Sequence, residues 1–432
     1  MVGASTEGHS TFNEPSPHRI LIIHWAWTIV GGAERKLFDI KRALESKGHE
    51  VQVFASAHPD NEYTELERFF PPYRDMGRAH FDAEGVRAAV ELLYSRPARR
   101  GLSALLDEYR PDVALVNTFQ HHLSQSVLFE LRDRKIPFVH VLSDFKAVCP
   151  NTSLLRDGKS CDRCFGGKYY HAVAGKCMKD SAAASLLVAL EGYVHQALGV
   201  YDIPELLLTP SADSAVWFER GGLPRERLRP FPNAVDLEMW HPDPEAGGTH
   251  PRFTMAGRLY PHKGVDVAIK AAASIPESEL VVAGEGFERA RLEELVESVG
   301  ASNVRFVGFL EQPELCELMC SSTAVLMPSV WPETFGNTTA EALACGIPVI
   351  GSDLGNTPEL IGDDERGLVV PAGDVEALAR TMQRLMNDRE MATEMGRRGR
   401  EFVEQNHSLD AYTDRLLSVL EEATALHASR TS

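Results

Sequence analysis

The chain has 432 residues, of which 44% are hydrophobic and 25% are charged. This length exceeds what one hydrophobic core normally organises, so we expect two domains. The 44 basic and 62 acidic side chains give a net charge of −18, which argues against a general binder of nucleic acid or of anionic membranes, although a net value can hide a local basic groove.

Residues 1–17 are polar and are predicted to form a disordered tail without the apolar core of a signal sequence. No apolar run reaches the roughly eighteen residues of a membrane span, so we expect at most peripheral membrane contact. The seven cysteines are too few for a disulfide scaffold in a chain of this size, which makes the reducing cytoplasm the expected compartment.

Two series of strand-length apolar runs alternate with segments of helical period, which is typical of parallel βαβ units. The first series is "RILIIHW", "EVQVFAS", "VALVN", "PFVHVLSD" and "LLLTPS", and the second is "RFTMAGR", "ELVVAGE", "VRFVGFL", "AVLMPS", "PVIGSD" and "GLVVPA". The stretch "HPDPEAGGTHP" (241–251) between them predicts a linker. We therefore predict an α/β fold of two doubly wound, Rossmann-like domains, with strand carboxyl ends facing each other across a ligand-binding cleft.

The first glycine-rich turn, "WTIVGGAER" (27–35), joins a predicted strand to a helix. Gly31 and Gly32 would let the backbone approach a ligand held by the opposite domain. A lone Gly-Gly pair is a weak signal, because most such pairs are simple turns.

A cysteine-rich insertion follows the strand "PFVHVLSD" and spans residues 149–177. Its Cys-x-x-Cys pair and two flanking thiols form a candidate structural zinc site at Cys149, Cys161, Cys164 and Cys177. Such a zinc would hold a loop poor in regular structure. Free or transiently oxidised thiols are the competing interpretation. The other three cysteines, Cys316, Cys320 and Cys345, fall in helical segments and are predicted to be small core residues.

The segment "AGRLYPHKG" supplies two cations, Arg258 and Lys263, at the start of the second series. The two residues are five positions apart, so both could reach the same phosphates. Fixed cations there would stabilise the charge that develops on a diphosphate leaving group. Ordinary surface charge at a strand end is the alternative.

The stretch "WPETFGNTTAEALAC" places Glu333 in a loop and Glu341 within a predicted helix. The backbone N–H groups of Gly336, Asn337 and Thr338 would start that helix and form an anion site. A diphosphate there would leave a sugar near Glu333 and a ribose near Glu341, because carboxylates accept hydrogen bonds from paired hydroxyls. A capped helix with two solvated glutamates is the simpler interpretation of these residues alone.

Together, "VGGAER", "PNAVD", "GRLYPHKG", "AGEGFE", "VRFVGFL", "PETFGNTTAEALACGIPVI" and "GLVVPAGD" resemble the retaining nucleotide-sugar glycosyltransferases of family 4, which have the GT-B architecture. The resemblance implies an acceptor-binding domain at 18–240, a donor domain at 252–405, and a last helix, 406–432, that crosses back to the first domain. It implies an enzyme that needs no metal for catalysis, a nucleoside diphosphate sugar donor and a hydroxyl acceptor.

The resemblance also assigns roles to residues. Arg258 and Lys263 would bind the diphosphate, Glu333 the donor sugar and Glu341 the ribose. Gly31 and Gly32 would close the pocket near the reacting centre. The nucleobase would lie near four further residues: Gly284, Glu285, Gly308 and Phe309.

The chain departs from the family pattern in the first domain. Many relatives carry histidines where this chain has Asn117 or Thr118, and Ser143. His121, His122 or His140 would be the substitutes, and Asp144 is a further polar group at a strand end; we retain His122 and Asp144 as candidate sugar or acceptor contacts, although strand ends attract polar residues anyway. Two other functions remain open: a GT-B sugar-nucleotide 2-epimerase and a nucleotide-sugar-binding protein without catalysis. The sequence leaves the donor base, the sugar, the acceptor and the oligomeric state undetermined.

Overall fold

The computed structural model describes residues 18–29, 32–73, 91–120, 122–156, 158–246, 250–362 and 364–431. The predicted tail 1–17, Gly31 and His121 lie outside these described residues.

The described strands are β1 (Arg19–Ala26), β2 (Glu50–Ser56), β3 (Val113–Val116), β4 (Phe138–Val141), β5 (Leu155–Arg156), β6 (Lys159–Ser160), β7 (Leu206–Thr209), β8 (Leu228–Pro230), β9 (Arg252–Ala256), β10 (Glu279–Ala283), β11 (Val304–Gly308), β12 (Ala324–Met327), β13 (Val349–Ser352) and β14 (Gly367–Val370). The described helices are α1 (Gly32–Ser46), α2 (Arg96–Glu108), α3 (Ser126–Asp133), α4 (Tyr170–Ala174), α5 (Ala182–Ala197), α6 (Ala212–Gly221), α7 (Val265–Ala273), α8 (Arg289–Val299), α9 (Gln312–Cys320), α10 (Asn337–Ala344), α11 (Thr357–Ile361), α12 (Val375–Asn387), α13 (Arg389–His407) and α14 (Leu409–Thr431).

Two six-stranded sheets organise the chain. The first has the order β2-β1-β3-β4-β7-β8 and the second the order β11-β10-β9-β12-β13-β14, and every pairing within them is parallel. In each sheet the order reverses beside the first strand, β1 or β9, which creates the switch point where doubly wound sheets bind ligands. The strands are apolar on both faces because helices cover both sides of a parallel sheet.

Each apolar run of the two predicted series corresponds to a strand of these sheets. The sequence analysis missed β8, a three-residue strand at the edge of the first sheet, and the short antiparallel β5–β6 pair inside the cysteine-rich insertion. Both are too short to produce a periodic signal.

The last helix, α14, packs on the first sheet rather than on the second. Leu416 and Leu420 are buried in the same core as the β1 and β3 side chains. Tyr412 meets Phe231 edge to face, with 4.7 Å between the ring centroids. The end of the chain therefore contributes to the core of its first half.

Helix α5 turns two polar side chains toward the protein interior. Glu191 and His195 are both buried, and Lys146 Nζ lies 2.6 Å from Glu191 Oε2. Three apolar side chains of the helix face outward instead: Leu186, Leu190 and Tyr193. The buried counter-charge of Lys146 is what allows the charged face to turn inward. Among the helices described, none combines the length and apolarity needed to cross a membrane.

Candidate active site

Helix α10 follows strand β12 and the loop that carries Glu333. Gly336 precedes it with φ +91°, a conformation that favours glycine. Since glycine has no side chain, the first N–H groups of the helix have no capping oxygen from this position and remain available to a ligand. An anion placed here meets those N–H groups together with the positive end of the helix dipole.

Glu333 lies beside this helix start and is already held in place. Lys263 Nζ donates to Glu333 Oε1 over 2.6 Å, and Ser329 Oγ donates to the same oxygen over 2.8 Å. Glu333 is only 7% exposed. A buried carboxylate is tolerated only when paired in this way, and the pairing fixes its orientation toward the cleft.

A cavity of about 300 Å³ contains the predicted site and receives side chains from both halves of the molecule. The second half contributes Lys263, Met327, Glu333, Thr334, Phe335, Gly336, Asn337 and Thr338. The first half and α14 contribute Lys36, Leu37, Ile40, Asn117, Val141, Ser143, Pro210, Phe231, Asn233 and Tyr412. The structure thus brings one predicted cation, one predicted carboxylate and the predicted anion site together.

Glu341 lies one turn into α10 and faces a cation that the sequence analysis missed. Burial raises the pKa of Glu341 to about 7, and the charge of Lys36 opposes that rise. Burial likewise lowers the pKa of Lys36 to about 8, against the charges of Glu341 and Asp39. Lys36 directly follows the "GGAER" turn. Because the sequence analysis had already placed this turn at the cleft, the turn could have pointed to Lys36 as a residue of the site.

Two hydrogen bonds cross between the halves near the cavity. Asn233 Nδ2 donates to Asn337 Oδ1 over 3.0 Å. Trp331 Nε1 donates to the backbone oxygen of Ser153, in the cysteine-rich insertion, over 2.6 Å. The loop that carries Glu333 is therefore attached to the first half on its far side.

The predicted nucleobase region lies where β9, β10 and β11 end. Gly284 has φ +141°, and a Cβ there would lie 1.9 Å from the backbone oxygen of Gly257. Its N–H donates to the backbone oxygen of Gly308 over 2.6 Å. Glu285 accepts from Arg289, and Phe309 is 70% exposed. Glycines bring three strand ends into close contact here and leave the Phe309 ring open to solvent.

Arg258 is exposed and does not line the cavity that contains Lys263. Within the described part of the chain, its guanidinium has neither a hydrogen bond nor an ion pair with a protein group. Its role on the diphosphate therefore stays a prediction. Gly32 is the first residue of α1.

Asn117 and Ser143 form part of the cavity wall that comes from the first half. Ser143 Oγ donates to Asn117 Oδ1 over 3.2 Å, and both residues line the cavity. His122 does not line it and instead stacks on Tyr73, with 5.2 Å between ring centroids. Asp144 accepts from the backbone N–H of Lys146 and caps a short turn. The structure gives these two candidates local contacts and places Asn117 and Ser143 at the cavity.

The four thiols of the insertion share one neighbourhood. Burial is the main cause that raises the pKa of Cys164 to about 12, and the charges of Cys149, Cys161 and Cys177 add to it. Their sulfurs do not, however, all lie within 4.8 Å of one another; across the described chain that spacing is found for another group, Cys316, Cys320 and Cys345. The zinc site in the insertion stays a prediction.

Comparison with known families gives two matches that together span most of the chain. Residues 31–234 match the model "Glycosyl transferase 4-like domain", and residues 238–402 match "Glycosyl transferases group 1".

Curated relatives match over part of the chain. The GDP-mannose-dependent monoacylated alpha-(1-6)-phosphatidylinositol monomannoside mannosyltransferase of Corynebacterium glutamicum is 32% identical over 183 residues, which are 40% of this chain and 48% of that protein. The GDP-mannose-dependent alpha-(1-6)-phosphatidylinositol monomannoside mannosyltransferase of Mycobacterium tuberculosis (strain CDC 1551 / Oshkosh) is 30% identical over 217 residues, which are 46% of this chain and 56% of that protein. The chain spans about half the length of these curated relatives.

Solved structures match over nearly the whole chain. Sucrose-phosphate synthase from Thermosynechococcus elongatus superposes with a TM-score of 0.69 at 21% identity, covering 94% of this chain and 99% of that one. HepE of Anabaena, in complex with UDP, superposes with a TM-score of 0.61 at 18% identity, covering 94% of this chain and 100% of that one. These matches show the fold, which is the GT-B architecture. The two family models, which together cover most of the chain, show that the chain belongs to the family 4 type of glycosyltransferases.

Proposed function

We propose that the protein is a retaining glycosyltransferase that moves a sugar from a nucleoside diphosphate sugar to a hydroxyl acceptor. The observation that carries the proposal is the partly buried Lys263–Glu333 pair, which shares one cavity with the uncapped start of α10. An anion site, a cation and an oriented carboxylate are the groups needed to bind a diphosphate joined to a sugar.

In this proposal the diphosphate lies on the first N–H groups of α10, and Lys263 neutralises the charge that grows as the sugar–phosphate bond breaks. Arg258, whose side chain is exposed, adds a second cation when it turns toward the diphosphate. Glu333 accepts hydrogen bonds from sugar hydroxyls and orients the ring. The acceptor oxygen bonds to the anomeric carbon on the face that the phosphate leaves, and its proton passes to the departing phosphate oxygen. No divalent metal is required in this scheme, because the cations and the helix dipole supply the positive charge.

The names of similar proteins indicate which donors to test first. Two relatives are named as GDP-mannose-dependent, and HepE has been solved with UDP and with UDP-glucose. We propose a nucleoside diphosphate hexose as the donor. The acceptor would approach the wall formed by Asn117 and Ser143, which face the same cavity. A cytoplasmic location is part of the proposal, since reduced thiols belong in that compartment.

The test begins with thermal-shift titrations of the full chain with UDP-, GDP-, ADP- and dTDP-sugars, because a ligand that binds the native state raises the melting temperature. One nucleotide series should give a clear shift, and Glu341→Ala should remove it. The preferred donor is then incubated with a panel of hydroxyl acceptors, and NMR determines the anomeric configuration of the product.

Three outcomes would contradict the proposal. Inversion at the anomeric carbon would exclude retention. Conversion of the donor into its 2-epimer without an acceptor would indicate an epimerase. A donor-specific shift without turnover on any acceptor would favour a binding protein.

A further inference from the structure

Three buried cysteines lie close together at the carboxyl end of α10, the end opposite the candidate anion site. Cys316 and Cys320 lie one turn apart on α9, and Cys345 follows the last residue of α10. Their sulfurs all lie within 4.8 Å of one another, and each residue is at most 7% exposed. The predicted burial of these residues is confirmed. Their convergence could not be predicted from the sequence, because Cys320 and Cys345 are 25 positions apart.

Two of the three thiols contact the same backbone oxygen, and the third contacts one of those thiols. Cys316 Sγ donates to the His241 carbonyl oxygen over 3.7 Å, and Cys320 Sγ donates to the same oxygen over 3.3 Å. Cys316 Sγ and Cys345 Sγ are 3.6 Å apart. Three sulfurs and one oxygen thus form a compact group of four potential ligand atoms.

The spacings match the edges of a tetrahedral zinc site. Zn–S bonds of about 2.3 Å place two sulfurs about 3.8 Å apart, and a Zn–O bond of about 2.1 Å places oxygen and sulfur about 3.6 Å apart. The observed 3.6 Å S–S distance and the 3.3 and 3.7 Å S–O distances lie close to these values. Little movement would be needed to close the four atoms around an ion.

The Arg400 guanidinium lies beside the cluster, where it can offset the negative charge of a zinc-bound site. Zn²⁺ replaces three thiol protons, which leave to solvent, so the bound site carries one net negative charge. Arg400 Nη1 donates to the backbone oxygens of Trp240 and Ala344, each over 2.8 Å. These residues immediately precede His241 and Cys345. The guanidinium therefore fixes two of the ligand-bearing segments and places a positive charge beside them.

An entry path also exists. A cavity of about 400 Å³ is lined by Cys320 and Cys345 together with Asp243, His250 and Arg389. An ion can reach two of the three sulfurs from this cavity without unfolding the core. A preformed ligand set, matching distances, a charged second layer and access are the features expected of a metal site.

We propose that Cys316, Cys320, Cys345 and the carbonyl oxygen of His241 form a structural zinc site. Its position gives it a role in the fold. Cys345 closes the carboxyl end of α10, whose amino end forms the candidate anion site, and His241 begins the segment between the two sheets. Bound zinc ties α9, α10 and this connecting segment together, so it holds the helix that presents Glu341.

The test must separate this site from the thiols of the insertion. Zinc is therefore titrated into reduced, metal-stripped full chain carrying Cys161→Ala and Cys164→Ala. We expect about one equivalent to bind and the melting temperature to rise. Co²⁺ substituted for zinc should give the intense near-ultraviolet absorption of thiolate coordination. Adding Cys316→Ala and Cys345→Ala should abolish both the binding and the absorption.

Binding of less than about a tenth of an equivalent to the Cys161→Ala, Cys164→Ala chain would overturn the proposal. The proposal would also be overturned if the chain bound no zinc and instead formed a Cys316–Cys345 disulfide on mild oxidation. Since removal of buried thiols can unfold the protein, crystals of the unsubstituted chain soaked in zinc provide a second test. An anomalous peak among the three sulfurs supports the site, and its absence there overturns it.

Discussion

Lys263 Nζ and Glu333 Oε1 are 2.6 Å apart although the two residues are 70 positions apart in sequence. The pair joins the end of the "GRLYPHKG" loop to the "PETFG" loop, and both residues line the cavity. Each group neutralises the other while the cleft holds no donor. When a diphosphate binds, Lys263 gains a second anionic partner, and Glu333 keeps the Ser329 hydrogen bond that orients it.

Lys263→Ala should lower kcat on the order of a hundredfold, because a fixed charge that stabilises the leaving group is lost. The substitution also leaves Glu333 with Ser329 as its remaining side-chain donor among the described contacts. Steady-state rates with the donor identified by thermal shift provide the measurement. Lys270→Ala is the matched control, since that lysine is exposed and paired with Asp266 on the surface of α7. Near-normal turnover of Lys263→Ala would show that this cation is not on the leaving group.

Arg258→Ala should also lower kcat strongly if its exposed side chain swings onto the diphosphate, and we expect an effect on the order of a hundredfold. The measurement is the same rate assay, and it compares two cations that differ in position. If Lys263→Ala lost activity and Arg258→Ala kept it, the diphosphate would be stabilised by Lys263 and the amino end of α10 without Arg258.

Gly284→Ala should destabilise the second half by about 3 kcal/mol. The added Cβ would lie 1.9 Å from the Gly257 carbonyl oxygen, and both residues belong to packed strand ends that have little room to move. Gly300→Ala is the control: its φ of +68° is also left-handed, but no atom lies within 4 Å of the new Cβ. We expect about 1 kcal/mol there. Urea unfolding measures both, and equal losses would contradict the steric argument.

Trp331→Phe should lower kcat/KM about fivefold, because it removes one hydrogen bond worth about 1 kcal/mol between the Glu333 loop and the insertion. Phenylalanine keeps an aromatic ring against Phe145, whose ring centroid lies 6.2 Å from that of Trp331. Trp331→Leu loses the ring as well and should have a larger effect. If Trp331→Phe matched the unsubstituted chain, the bond to Ser153 would have no part in positioning the loop.

Much of the fold could be predicted because strands that are buried on both faces have nearly continuous apolar sequences, as in "RILIIHW" and "ELVVAG". The Glu333 loop and the α10 start were also visible, since Gly336 and the helix formers after it are local signals. Contacts between segments that are distant in sequence could not be predicted, because they depend on how those segments pack in the fold. The electrostatic interaction of Lys36 with Glu341 depends on the relative placement of the two sheets, and the inward face of α5 depends on Lys146.

The donor affinity should depend on pH through Glu341. Burial raises the pKa of this carboxyl to about 7 from an ordinary value of 4.5, so in the free protein the group gains a proton as the pH falls through 7. A ribose hydroxyl bonds more strongly to a carboxylate than to a carboxylic acid. Linkage then weakens donor binding by about tenfold between pH 8 and pH 6.

Calorimetric titration of a nucleoside diphosphate sugar measures this dependence cleanly, because the diphosphate of such a donor does not itself titrate in that range. Glu341→Gln should bind more weakly at pH 8 and should lose the change centred near pH 7, since the amide neither gains nor loses a proton. Lys36→Met should steepen the effect at the alkaline end, because the charge of Lys36 opposes the rise in the pKa of Glu341 and its loss shifts that pKa further upward. An unchanged pH profile in Glu341→Gln would assign the titration to another group and remove Glu341 from the ribose site.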